Sequence, residues 1–288
     1  MKILIPVDEN TYSMYAIRHA ARLARNTWPD LALLGIDQKG LLPGIEPNFT
    51  DSNPKVRMLH NYCKDLLALL GSNSELYVAG DEQFLMSEQG NRLAGEDHAG
   101  RKKLQLHLRN ASPVKAILEE AKNNDSDLII MGCSRSGSAW ENDAHAPGKV
   151  ADRANCPVLI IKDEHPITKI VCCLDHAHVT QESLEMISQL VTFYDAELEI
   201  VGILKHSQLK HEVEQQMGEV LDYYLKRNIC ALVKVVDEKS LESFISSGTQ
   251  KNLMAVWLSP KSTLQRLFPR DKVATLVNNT LSSLLVLR

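Results

Sequence analysis

The sequence repeats itself, and the repeat narrows the possible folds more than any other feature. Residues 2–8 read KILIPVD and residues 169–175 read KIVCCLD, in each case a lysine, a mostly apolar run and an aspartate at the sixth step. DLIIMG at 127–132 returns as NLMAVW at 252–257, and CPVLIIK at 156–162 returns as SSLLVLR at 282–288. The three pairs occur in the same order. The first is 167 residues apart and the last 126, so the first copy is longer by 41 residues. A chain of 288 residues is long enough for two domains of ordinary size, and 44% hydrophobic residues supply two cores. Only 5% are aromatic, so those cores rest on Leu, Ile, Val and Ala.

Within each copy, short apolar runs alternate with helical patterns. A continuous run such as Leu128-Ile129-Ile130-Met131 suits a strand covered on both faces, which means a parallel sheet. The first copy then has strands near 2–7, 31–36, 104–109, 127–132 and 157–162, with helices near 12–26, 55–71, 113–123 and 147–154. The second has strands near 169–174, 197–202, 231–236, 252–257 and 283–287, with helices near 180–193, 208–228, 239–249 and 271–279. Thr180 reads as an N-cap before Leu184, Ile187, Leu190 and Val191 at helical spacing. Right-handed crossovers make this an α/β chain of two tandem Rossmann-like domains, 1–163 and 169–288, each a five-stranded parallel sheet flanked by helices. Pro166 in the short link 163–168 cannot extend the last strand's ladder, and so short a link holds the domains close together. The extra length of the first copy is an insert within 37–103. Its stretch 73–103, with Gly80, Gly90, Gly95 and Gly100, reads as a surface excursion or a flap.

A formal charge of −4 gives no reason to expect a nucleic acid or an anionic membrane as partner. The apolar run at the N-terminus is too short for a signal sequence, and no run of about 18 apolar residues spans a membrane. The six cysteines form no CxxC; Cys172 and Cys173 point to opposite faces of one strand. Reduced thiols of a cytoplasmic protein are the expectation.

In an open parallel sheet, ligands bind beyond the carboxyl ends of the strands. That rule selects Asp8, Ile36, Asn110 and the segment from Gly132 to Gly148. Asp8 suits two roles, accepting from an exocyclic amine or capping the next helix. Gly132-Cys133-Ser134-Arg135-Ser136-Gly137-Ser138 follows a strand, and its glycines, hydroxyls and one arginine suit a phosphate. Gly148 and Lys149 follow at the start of the predicted helix 147–154, whose N–H groups attract anions. A Gly/Ser turn with no ligand is the competing reading.

These motifs together, PVD, DLIIMG, a Gly/Ser/Arg loop, a glycine at a helix start and CPVLIIK, resemble the universal stress protein family over nearly the whole chain, twice. The resemblance implies binding of ATP or another adenine nucleotide, with or without Mg2+, by the first copy. Gly132 matches the first signature glycine, Arg135-Ser136-Gly137 the R-(S/T)-G run and Gly148 the last glycine, while Asp8 and Met131 match positions that usually line the adenine pocket; Ile36 at its strand end, Ser134 in the loop and Lys149 at the helix start complete the candidate site. The second signature glycine is missing, Gly132 to Gly148 is 16 steps where the family has 13, and Lys149 stands where a hydroxyl is expected. The insert from Trp140 to Pro147 brings acids near the proposed phosphates. The second copy departs further, with Trp257-Leu258-Ser259-Pro260 in place of the glycine and Arg270-Asp271 in place of the last one. It reads as a degenerate half. The resemblance also implies pairing of the two copies through the last strand of each, and pairing between chains.

His176-Ala177-His178 sits after a strand, but a structural zinc needs four placed ligands, and no CxxC or HxxxH accompanies it. Cys133 reads as a small buried residue before a redox thiol. Three functions compete: a stress-response or regulatory protein binding a nucleotide, with at most weak ATP hydrolysis; a ligand-free tandem interaction module with both sites decayed; and an ATP-pyrophosphatase, which lacks its SGGxDS loop after Asp8.

Overall fold

Strands that are apolar on both faces must be covered on both, and the structure, a computed structural model, covers them with helices. It describes residues 1–37, 53–79, 102–134, 140, 143, 145–174, 180–204, 210–247, 252–258 and 263–287. Of Val78, Ala79, Ser183, Lys210, Glu212, Gln216, Thr263, Arg270 and Asp271 it describes the backbone alone. The chain divides into two compact units, Met1–Ile161 and Lys162–Arg288.

The first unit runs β1 (Lys2–Pro6), α1 (Tyr12–Thr27), β2 (Asp30–Ile36), α2 (Pro54–Leu70), a 3-10 turn (Gly71–Leu76), β3 (Tyr77–Ala79), β4 (Lys102–Arg109), α3 (Pro113–Asn123), β5 (Leu128–Gly132), α4 (Ala146–Arg153) and β6 (Val158–Ile161). Its strands pair in parallel in the order β3-β4-β2-β1-β5-β6. Every residue of β5 is buried. Tyr12, Ala16, Ile17, Ala20, Leu23 and Ala24 form the buried stripe of α1 at helical spacing. Asn53 caps α2 by accepting from the Lys55 N–H at 2.8 Å, with Pro54 at the first helical position.

The second unit runs β7 (Lys169–Leu174), α5 (Gln181–Tyr194), β8 (Glu197–Leu204), α6 (Lys210–Leu225), β9 (Ala231–Asp237), a 3-10 turn (Glu238–Ser240), α7 (Leu241–Ser246), β10 (Asn252–Trp257), α8 (Thr263–Leu267), α9 (Arg270–Asn279) and β11 (Ser283–Leu287). Its parallel order is β11-β10-β7-β8-β9. Leaving aside β3, both sheets are doubly wound in one order, with the first strand beside the fourth.

All ten predicted strands appear within two residues of their expected ends. The first sheet is larger than expected by β3, and α8 is a further helix; three and five residues are too short to show a period in sequence. The first unit's helix α4 begins at Ala146, so Gly148 is its third residue and does not open it; Pro147 suits the first turn.

The three-dimensional repeat is deeper than the sequence landmarks. Gly35 of β2 and Gly202 of β8 are 167 residues apart, the interval between β1 and β7. A Cβ on Gly35 would lie 3.0 Å from Leu59 of α2, and one on Gly202 would lie 2.9 Å from Val213 of α6. In each unit the second helix touches the second strand at the same point, and a side chain there would push it away.

Candidate functional site

The switch point of the first sheet lies between β1 and β5, where the loops leaving the two strands turn to opposite faces. Gly132, the last residue of β5, faces the first turn of α1 across this gap. A Cβ on it would stand 2.0 Å from the Tyr12 carbonyl oxygen and 3.0 Å from the Ser13 nitrogen. The glycine is therefore required by the approach of α1, whatever else its loop does.

Asp8 follows β1 and is 1% exposed. Its carboxylate is saturated by its own loop. Tyr12 Oη donates to Oδ2 at 2.5 Å and Asn10 Nδ2 to the same oxygen at 2.7 Å. Ser13 Oγ donates to Oδ1 at 2.8 Å, and the Asn10 N–H at 3.0 Å. The Tyr62 hydroxyl of α2 donates to the Asp8 carbonyl at 3.0 Å, closing the loop from the other side. Burial, then the bond and charge of Asp8, raise the Tyr12 phenol, which keeps it a donor. The N-cap position of α1 falls to Thr11, so Asp8 does not cap the helix as expected but organises the loop before it; an adenine amine would have to displace one of four donors.

Ile36 ends β2 and Met131 precedes Gly132 in β5, and neither side chain has exposed surface. Ser134 is half-buried, and Cys133 is buried with its thiol donating to the Ser134 carbonyl at 3.3 Å. Arg135, Ser136 and Gly137 lie outside the described residues. Beside Asp8, a cleft of about 590 Å3 opens between the β1 loop and α2, lined by Glu9, Pro54, Arg57, Met58, Asn61 and Tyr62. Sequence reading did not single out this lining, because it comes from one face of α2, at Arg57–Asn61 and Met58–Tyr62, brought against Glu9 by the fold.

Lys149 lies in the first turn of α4, with Gly148 buried before it. Its ammonium holds both oxygens of Asp143, at 3.0 and 2.8 Å. The same carboxylate accepts the backbone N–H of His145, the N-cap residue, at 3.0 Å. Burial raises the Asp143 carboxyl, but Lys149 and the His145 N–H outweigh it and hold the group below its ordinary range. Asp143 is fixed in turn by a bridge to Trp140, its N–H donating to the Trp140 carbonyl at 2.8 Å. Trp140 is 1% exposed, and its indole N–H has no partner among the described residues.

A second polar cluster was missed in the sequence. His107 and Arg109 of β4 share a face, and both reach Glu120 of α3, which is fully buried. His107 Nδ1 lies 2.5 Å from one carboxylate oxygen and Arg109 Nε 2.5 Å from the other, and Asn124 Nδ2 donates to the first. Burial pushes the Glu120 carboxyl up, and the bonds and charges of His107 and Arg109 more than reverse it. Two basic residues two apart inside an apolar strand were the available signal.

In the second unit, Trp257 closes β10 at the place of Gly132 and is 4% exposed. Arg270 and Asp271 open α9, and His176 and His178 lie outside the described residues.

Residues 62–162 match the universal stress protein family. The whole chain is similar in fold to a Pseudomonas aeruginosa UCBPP-PA14 protein described as a universal stress protein (14% identity, 99% of this chain and 92% of that one, TM-score 0.58). It is similar likewise to a universal stress protein from Archaeoglobus fulgidus DSM 4304 (13%, 100% and 98%, TM-score 0.55) and to the cytoplasmic domain of a prokaryotic cation chloride cotransporter (12%, 99% and 94%, TM-score 0.55). At these identities the likeness is one of fold. No curated protein matches the sequence. No helix among the described residues is long and apolar enough to cross a membrane.

Proposed function

From the premise that residues 62–162 are of the universal stress protein family, we propose that the first unit binds an adenine nucleotide or a related anionic ligand and that the chain acts as a stress-response or regulatory protein. The observation that carries this reading is the arrangement at the carboxyl end of the first sheet. There an N-terminal helix turn bearing Lys149 belongs to the same unit as an open cleft beside Asp8. A volume of about 590 Å3 lies within the range of small-ligand pockets. Tyr62, Met58 and Pro54 offer apolar surface to a base, and Glu9, Arg57 and Asn61 offer polar edges. Lys149 and the α4 amides suit the anionic end once Asp143 gives way. Asp8 in this reading shapes the loop and does not hold the base. Turnover is at most weak hydrolysis of ATP.

The test is equilibrium titration with labelled ATP, with and without Mg2+, on the whole chain. Binding that weakens in Lys149→Met supports the reading. No binding at millimolar concentration, together with no nucleotide carried through purification, overturns it.

A ligand-free interaction module is the second reading, favoured by one observation: the cation proposed for the phosphates already holds Asp143. The first reading also includes pairing between chains in a cytoplasmic setting. Sedimentation of the whole chain tests that pairing.

A further inference from the structure

We infer that Asp143 is an internal competitor for the anion site of α4, so that ligand affinity is set by how readily its carboxylate leaves Lys149. This rests on the nucleotide reading and deepens it.

Three contacts place the carboxylate where an incoming anion would have to go. Both oxygens meet the Lys149 ammonium, at 2.8 and 3.0 Å, and one also takes the His145 N–H at 3.0 Å. A phosphate bound at this turn would seek the same ammonium and the same helix end. It cannot share them with Asp143, because two anions on one cation repel, and more so near a protein surface than in water. The contact is built. Trp140, almost wholly buried, bridges to Asp143 even though its indole N–H has no partner among the described residues. Such an anchor confines the carboxylate near Lys149 at a high effective concentration. The pair is also partly exposed, at 40% for the lysine side chain and 25% for the aspartate, so water reaches it and exchange is open to a ligand. An exposed pair of this kind is weak in itself. A ligand carrying two or more negative charges, such as a nucleoside di- or triphosphate or inorganic pyrophosphate, has more Coulomb energy than a monovalent anion with which to part it.

Asp143→Asn keeps an oxygen for the His145 N–H and removes only the charge. Titration of wild type and D143N with ATP and with pyrophosphate is the experiment, with the folding of each variant checked by thermal melting. D143S, also able to cap, replaces D143N if that variant melts early. The expected result is binding tighter by about tenfold in the variant for both probes, with the gain lost in D143N/K149M. Wild type and D143N binding ATP equally would overturn the inference and leave the nucleotide reading standing. No binding by either protein would overturn both.

Discussion

At one place in the two sheets, the end of the fourth strand of the doubly wound order, the first unit has Gly132 and the second has Trp257. The glycine has the Tyr12 carbonyl where its Cβ would be, and the tryptophan is packed to 4% exposure. A second place differs in the same manner. His107 pairs with Leu34, the fifth residue of β2, and Lys234 pairs with Val201, the fifth residue of β8. His107 is buried on Glu120 of α3, whereas Lys234 lies over the Phe244 ring of α7 at 4.6 Å. The partners explain the contrast: α3 brings the buried Glu120 onto His107, whereas β9, an edge strand among the described residues, has most of its residues exposed. One backbone plan thus tolerates opposite chemistry at equivalent points. The plan is fixed by strand burial and by close contacts such as Gly35 and Gly202, while the ends of the strands are free to vary.

The sharpest way to break the comparison is to exchange side-chain size at the first place. Gly132→Ala sets a Cβ against backbone, which cannot swing aside as a side chain can. It should cost about 4 kcal/mol or more, or prevent folding of the first unit. Trp257→Ala leaves a cavity in the second unit at a cost of about 3–5 kcal/mol. Urea unfolding followed by circular dichroism measures both. A mild G132A would mean that the first turn of α1 can move away from β5. The same point bears on ligand tests: loss of binding in a Gly132 variant reports on α1 as much as on a phosphate loop.

The second place gives the next largest effect. Glu120→Gln leaves Arg109 without its counter-charge and His107 without its carboxylate partner, and should cost about 3 kcal/mol at neutral pH. The folded carboxyl is depressed, so its contribution is complete above the ordinary carboxylate range and disappears as pH falls through the lower folded value. The gap between wild type and E120Q should therefore close on acidification below about pH 4. Lys234→Ala, at the equivalent place in the second unit, should cost about 1 kcal/mol or less and show no such closure. A gap that stays constant into acid would mean that Glu120 is not the charged partner.

These contrasts also mark what could be read from sequence. Strands β1, β5, β7 and β10 were legible because burial on both faces leaves an unbroken apolar run. β3 and α8 were not, since neither completes a pattern. Gly132 was visible as a glycine, but its reason was not, because the carbonyl it accommodates belongs to Tyr12, far away in the chain. Acids near the proposed phosphates were legible in the insert. That Asp143 would grip Lys149 was not, because a separation of six lies outside regular helical spacing. The His107–Glu120 pair joins a strand to a helix, and no local rule links the two positions.

Acid stability separates the units at a third place. His19 of α1 corresponds to Met186 of α5, again 167 residues on. Burial, with the charge of Arg22 second, lowers His19 from 6.5 to about 4. The folded form is thus neutral where the unfolded chain takes up a proton. Stability is full above pH 6.5 and falls progressively as pH drops toward 4, by about 3 kcal/mol in all. His19→Met, the residue the second unit already uses, should flatten that loss between pH 6.5 and 4. Equal slopes for wild type and H19M in pH-dependent melting would place the acid sensitivity elsewhere.

The smallest effect tests sameness where the units look alike. Trp28 ends α1 with φ 47°, and Asp195 ends α5 with φ 50°, at the same interval of 167. Both are left-handed caps without glycine. Trp28 donates its N–H to Ala24, and Asp195 donates to Thr192. A residue with a Cβ is strained there, and glycine is not. Comparing Gly with Ala at each position cancels the loss of the original side chain, which matters for the half-exposed Trp28 ring. Gly should exceed Ala by about 1 kcal/mol at both sites. Equal differences at 28 and 195 would show that the two caps are one structural solution used twice. A difference at only one would mean that the repeat extends to backbone shape there but not to its energetics, since an Ala variant that loses nothing must have left the left-handed conformation.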